Sequence, residues 1–153
     1  FSYPHGTHLC AVEVDTETGM STIRKYVAVD DVGVQVNPMI VEGQLHGGIT
    51  QGIAQALWEG ASYDEDGNLM TASLADYLLP GSTEVPSIRL DHIETPSPNT
   101  FFGQKGIGEG GAIAPPAAIA NAVNDALAPL GVEINESPLT PRRIVEALMK
   151  ARK

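Results

Sequence analysis

At 153 residues, 42% of them hydrophobic and 18% charged, the chain is long enough for one domain and too apolar to be disordered. Nineteen acids against nine bases give a net charge of −10, and Arg142, Arg143, Lys150, Arg152 and Lys153 place five of the bases in the last dozen residues. The rest of the chain is strongly acidic, which argues against a nucleic-acid or anionic-membrane surface.

The single Cys10 excludes an internal disulfide framework and a multi-cysteine metal site built by this chain alone. Its flanks, Leu9 and Ala11-Val12, are strand-like, so a buried structural thiol is expected. No apolar run approaches the roughly 18–20 residues of a membrane span, and Phe1-Ser2-Tyr3-Pro4-His5 has neither the charged nor the apolar region of a targeting signal. A soluble, cytoplasmic protein is expected. The chain starts without Met and opens into a strand-like pattern, which suggests a piece of something longer. Sixteen glycines and eleven prolines are its oddest entry in composition, and they point to tight backbone approaches in an ordered fold.

In chain order, Thr7 to Asp15 and Ser21 to Asp30 are two apolar, β-branched runs joined by Thr16-Glu17-Thr18-Gly19, which predicts a hairpin. Asn37-Pro38 then supplies an N-cap and a first-turn proline, and the helix should run to about Glu59 and stop at Gly60. Between Glu42 and Glu59 lie sixteen residues without a formal charge, whereas a surface helix normally carries a charged stripe. Leu45, Ile49, Ile53 and Ala56 share one face; Gln44, Gly48, Gln51, Gly52 and Gln55 fall on a second. Both faces are expected to be covered. The glycine face suits close helix packing, with its glutamines bonded to neighbouring backbone, or the approach of a polar ligand.

Tyr63-Asp64-Glu65-Asp66-Gly67-Asn68 is an acidic hairpin turn between extended segments at Gly60–Tyr63 and Leu69–Ser73; the ligand ladder of a calcium loop is missing. Residues 80–87 form a loop, Ile88 to Ile93 a strand, and Pro96 and Pro98 an extended or turning path. A second apolar helix starts at Pro115-Pro116 and ends before Pro129 and Gly131. A short strand at Val132-Glu133-Ile134 follows, then an amphipathic helix from Thr140-Pro141 with Ile144, Val145 and Leu148 on its inner face. The fold class is α+β, in one unit over residues 1–153. His5, His8, His46 and His92 show no metal-ligand spacing.

The segment from Gly103 to Gly111 has five glycines in nine residues, together with Lys105 and Glu109. Gly106-x-Gly108-x-x-Gly111 satisfies the dinucleotide-binding pattern literally, yet Ser97–Phe102 before it is a poor strand and Glu109 would repel a pyrophosphate. What remains is a carboxylate on a loop nearly free of side chains. Burial beside Ile107 would suit it to proton abstraction; equally, it is a turn glutamate bonded to backbone N–H groups or to Lys105.

Asp31-Val32-Gly33, Asn37-Pro38, Gly43-Gln44, Gly47-Gly48, Gln51-Gly52, Asp76-Tyr77 with Pro80, and Lys105-Gly106-x-Gly108-Glu109 form an ordered set covering nearly the whole chain. The set resembles the C-terminal part of molybdenum hydroxylase large subunits, the family of xanthine oxidase, aldehyde oxidase and aerobic carbon monoxide dehydrogenase. The wording around Val41–Gly48, Tyr63–Gly67 and Glu94–Pro98 is most similar to the carbon monoxide dehydrogenase type. The resemblance implies a molybdopterin-binding domain in which Glu109 is the catalytic base beside the molybdenum and Gln44 contacts the pterin. It implies that Gly106, Gly108, Gly110 and Gly111 give close backbone approach, with Lys105 near the cofactor or near structural carboxylates. The metal is held by the pterin, expected in its cytosine dinucleotide form, and no protein residue ligates it. The implied reaction is oxidation of a small carbon substrate, such as carbon monoxide, an aldehyde or an N-heterocycle, with water-derived oxygen. Implied partners are the rest of the large subunit and subunits carrying FAD and [2Fe-2S]. Family large subunits are several times longer, so the alternative for this chain alone is an inactive docking or oligomerisation module, such as a homodimer.

Overall fold

The structure, a computed structural model, describes residues 1–152. The predicted hairpin forms from β1, His5–Val14, and β2, Ser21–Asp31, paired antiparallel. Asp15 closes the turn by accepting from the backbone N–H groups of Glu17 (2.8 Å) and Thr18 (3.2 Å), the local bond that makes aspartate a turn residue. A register shift lies between Ala11 and Val12, and it decides what the sheet can bury. Ile23 and Tyr26 are three residues apart, so an unbroken strand would send them to opposite faces. The bulge turns both inward: Tyr26 is fully buried and Ile23 packs against the same core.

The third strand, β3 (Ile88–Ile93), lies parallel to β2, giving a mixed sheet in the order β1-β2-β3. Parallel pairing requires a long crossover, and α1, Pro38–Leu57, with the loops after it, provides that connection. Asn37 caps α1 by accepting from the Ile40 N–H at 3.2 Å, as its side chain and the following proline predict. Helix α2 is a short turn at Gly110–Ile113 that the sequence did not suggest, and α3, Pro115–Leu127, packs on β1 and α1. Tyr26, Ile49, Ile53, Ile119, Leu127 and Ile144 centre the core. The last helix, α4 (Pro141–Ala151), starts at Thr140, whose hydroxyl accepts from the Arg143 N–H, and buries Ile144 and Leu148.

Three local expectations need correction. Val132-Glu133-Ile134 is not a strand. Its backbone is satisfied by a side-chain amide instead: Ile134 N–H donates to Asn124 Oδ1 (2.8 Å) and Asn124 Nδ2 donates to the Ile134 carbonyl (3.0 Å). The segments flanking Asp64–Asn68 pair through a single bridge, Tyr63 to Leu69, and the turn between them is held by backbone bonds together with the Asp64 carboxylate, which accepts from the Asp66 and Asn68 N–H groups. The glutamines of α1 are not buried: Gln44, Gln51 and Gln55 are all exposed. Among the described residues no helix is long and apolar enough to cross a membrane.

A buried polar chain crosses the hairpin. His8 Nδ1 lies 2.9 Å from the Tyr26 hydroxyl and His8 Nε2 lies 3.3 Å from Asp30 Oδ2. The assignment that satisfies all three groups has the phenol donating to Nδ1 and the ring N–H donating to the carboxylate. Burial, with Cys10 and Asp30 nearby, pushes the Tyr26 hydroxyl above its ordinary pKa. Burial also pushes the Cys10 thiol up to about 11, so it stays protonated and unreactive near neutrality.

Candidate functional site

The glycine loop begins where β2 ends. Asp31, whose side chain is 1% exposed, accepts through Oδ1 from Gly33 N–H (2.8 Å), Thr95 N–H (3.2 Å) and the Lys105 ammonium (3.0 Å). Burial opposes its charge, but the donors from Thr95, Gly33 and Lys105 prevail and hold the carboxyl well below the usual aspartate range. Backbone bonds reinforce the junction: Lys105 N–H donates to the Val32 carbonyl (2.7 Å), and the Gly103 carbonyl accepts from Val34 (3.2 Å) and Ser97 (2.9 Å). Gly33 has φ +64°, and a Cβ there would lie 2.2 Å from the Gly103 oxygen. Only glycine allows so close a crossing.

The far end of the loop is held by helix packing. A Cβ on Gly111 would lie 2.8 Å from the Leu45 carbonyl, and one on Gly48 would lie 2.9 Å from the Gly111 and Ala112 backbone. Gly52 meets Pro115 in the same way, at 2.8 Å. Of the two uses open to the glycine face of α1, close packing therefore accounts for Gly48 and Gly52.

Between these anchors, Gly106, Gly108 and Glu109 are exposed. A Cβ on Gly106 or Gly108 would meet nothing within 4 Å, and neither residue has a positive φ. Glu109 sits at the start of α2 and makes no capping bond with its side chain. Lys105, which could have neutralised it, is committed to Asp31. Among the described residues the Glu109 carboxylate thus has no partner, so the bland turn-glutamate role finds no bond to support it. Burial beside Ile107 does not occur in this chain: Ile107 packs against Val32, Val41 and Leu45 and leaves Glu109 uncovered. Gly110 lies against Ile107, 2.8 Å from its Cδ1 to a Cβ built on the glycine.

Gln44 lies one turn before Gly48, the residue that packs on Gly111, so the exposed glutamine row starts on the side of α1 turned toward α2. Gly43 and Gly47 lie on the same helix, exposed, with nothing within 4 Å of an added Cβ. The structure leaves Gln44, Gly106, Gly108 and Glu109 exposed, and turns Gly111 and Lys105 toward internal contacts. Asp31 and Thr95 are structural members of the site that the sequence did not single out. Asp31 stood in a motif, Asp31-Val32-Gly33, but nothing local shows that its partner is 74 residues away.

Comparison with known proteins shows the family. A model of the molybdopterin cofactor-binding domain family matches residues 1–86. The nicotine 6-hydroxylase large subunit of Paenarthrobacter nicotinovorans is 48% identical over 95% of this chain, and 18% of that relative is covered. The chain belongs to the molybdopterin cofactor-binding domain family. The carbon monoxide dehydrogenase large chain of Hydrogenophaga pseudoflava is 41% identical over 97% of this chain and 18% of its own length. Among solved structures, quinoline 2-oxidoreductase from Pseudomonas putida 86 superposes with a TM-score of 0.94 at 48% identity, over 96% of this chain and 19% of that one. A reconstituted CO dehydrogenase from Oligotropha carboxidovorans gives 0.95 at 38% identity, over 98% and 19%. The domain described here thus spans about a fifth of the length of these relatives, and the family and α+β fold expected from the ordered motifs are both found.

Proposed function

We propose that this chain is the C-terminal, molybdopterin-binding portion of a molybdenum hydroxylase large subunit, with Glu109 as general base in the oxidation of a small carbon substrate by water-derived oxygen. The observation that carries the proposal is a carboxylate exposed and unpartnered on a loop fixed at both ends. Of the intervening glycines, Gly106 and Gly108 have no contact within 4 Å of an added Cβ and no positive φ that requires glycine.

The residues present fit a pterin cofactor. The exposed glutamines supply amide donors and acceptors without charge. Among the described residues, the backbone N–H groups of Gly106, Ile107 and Gly108 donate to no protein acceptor, which leaves them for a ligand. Gln44, Gly106, Gly108 and Gly110 would hold the cofactor, in its cytosine dinucleotide form; Gly111 and Lys105 are assigned to placing the loop. When bound, the cofactor supplies the electron acceptor and the site of oxygen transfer. The task of this chain is narrower: a Glu109 carboxylate oxygen takes the proton released as the oxygen is passed to the substrate carbon, with nothing bulkier than glycine beside it to block approach.

Relatives that are large subunits or large chains support a multi-subunit assembly, to which we assign the remaining large subunit and FAD and [2Fe-2S] components, in the cytoplasm. Val36, Met39 and Ile40, exposed by 70%, 76% and 56% around the start of α1, are apolar surface that such neighbours would cover. The motifs around Val41–Gly48, Tyr63–Gly67 and Glu94–Pro98 favour a carbon monoxide dehydrogenase type of substrate, with an aldehyde or N-heterocycle as alternatives.

Glu109→Gln in the native enzyme is expected to lower turnover by roughly 10²–10⁴-fold while molybdenum content stays near wild type. Full turnover at full metal loading rejects the base; lost turnover in step with lost metal makes Glu109 a determinant of cofactor retention.

A further inference from the structure

We propose that the buried Asp31–Lys105 ion pair is a positioning pair: it fixes the path on which the loop presents Glu109, and touches neither cofactor nor substrate. The inference rests on Glu109 being the base, and it assigns to Lys105 a role different from cofactor contact.

Three features carry it. First, one oxygen of Asp31 gathers donors from three separate stretches of chain: Gly33 just after β2, Thr95 just after β3, and Lys105 on the loop. Removing either charged partner therefore loosens a junction between strands and loop rather than a single contact. Second, the pair is shut away from any outside ligand. The side chains of Lys105 and Asp31 are 9% and 1% exposed, which leaves the ammonium little surface for a cofactor. Asp31 Oδ2 is buried without a hydrogen-bond partner among the described residues, and His5 Nε2 is 3.8 Å from it. A buried charge left without its partner is strongly disfavoured, so the closed pair is favoured over any arrangement that separates Lys105 from Asp31, and the junction is stiff.

Third, the distance to Glu109 is short. Glu109 is four positions after Lys105, a reach of at most about 14 Å when fully extended, and Gly111 just beyond is held against Leu45. With the far anchor fixed, displacement at Lys105 is taken up in the span that contains Glu109. Misplacing a reacting group by about 1 Å is enough to reduce turnover about 100-fold.

The test uses the native enzyme with Lys105→Met, Asp31→Asn and the double variant, each also built on Glu109→Gln. The double variant keeps the site neutral, so it covers the case in which a lone buried charge prevents folding. Hydrogen exchange read by mass spectrometry should be at least tenfold faster over residues 103–112 and unchanged over α1 and α3. Turnover, kcat, should fall about 10–100-fold with KM and molybdenum content near wild type, and this loss should largely vanish in the Glu109→Gln background, because the pair acts through Glu109.

Unchanged exchange over 103–112 overturns the proposal. So does loss of molybdenum in proportion to turnover, which would make Lys105 a cofactor ligand, and so does a loss that multiplies with that of Glu109→Gln. If Glu109→Gln itself turns over normally, the base assignment fails on that arm alone, while the exchange data separately decide whether the pair fixes the loop.

Discussion

The glycines of this domain fall into two groups that composition alone merges. At Gly48, Gly52 and Gly111 a side chain would strike neighbouring backbone or proline within 3 Å, so glycine is what lets α1 meet α2 and α3. At Gly43, Gly47, Gly106 and Gly108 an added Cβ would enter open space, and no positive φ calls for glycine. Gly43 and Gly47 even sit inside a helix, where glycine costs about 0.5–1 kcal/mol relative to alanine. The first group is explained by the packing of this chain. The second is not, and two of its members, Gly106 and Gly108, stand in the loop that carries Glu109, whose carboxylate has no partner among the described residues. Under the proposed function, glycine without an internal reason marks the surface where the cofactor comes close.

The filled group offers the largest effect. Gly48→Ala or Gly111→Ala drives a methyl into backbone atoms that cannot rotate aside, and each should destabilise the chain by about 1–3 kcal/mol. The two sites touch, so the double variant should cost less than the sum of the single losses. Urea unfolding measures this directly. Wild-type stability in either variant would break the comparison, since the packing glycines would then be no different from the open ones.

The anchored end of the loop gives a second test through pH. The Asp31 carboxyl is held below the ordinary aspartate value of about 3.9. Below that value the unfolded chain takes up a proton that folded Asp31 resists, so its contribution is complete at neutral pH and declines as pH falls toward the folded value. Asp31→Asn should therefore be less stable than wild type at pH 7, with the gap narrowing between pH 4 and pH 2. A gap that stays constant across that interval would show that Asp31 does not hold its charge through the junction with Lys105.

Elements set by near neighbours in sequence were legible before the structure: the hairpin from its turn residues, α1 and α4 from a cap followed by proline, α3 from its paired prolines. Errors arose where one side chain replaces a whole element, as Asn124 does for the missing strand at Val132–Ile134. The site was half legible. Glu109 and its glycines stand together in sequence, whereas Asp31 and Thr95 reach the loop only through the β2–β3 pairing. Lys105 was visible as the lone base of its region, but its buried partner was not, because burial and long-range pairing leave no mark on spacing.

The open group offers the smallest effect and the most direct one. Gly47→Ala should raise the stability of the domain by about 0.5–1 kcal/mol, since alanine loses less backbone freedom in a helix and the new methyl meets nothing within 4 Å. If that surface receives the pterin, the same methyl in the native enzyme should lower molybdenum content or turnover. Two measurements with opposite signs are thus expected from one substitution: a higher melting temperature for the domain and a poorer enzyme. A gain in stability with undiminished cofactor and activity would mean that Gly47 faces solvent in the enzyme too, and would confine the cofactor surface to Gln44 and the glycine loop. A loss of stability would mean that the open face of α1 is already packed, and the distinction between the two groups of glycines would fail at its weakest member.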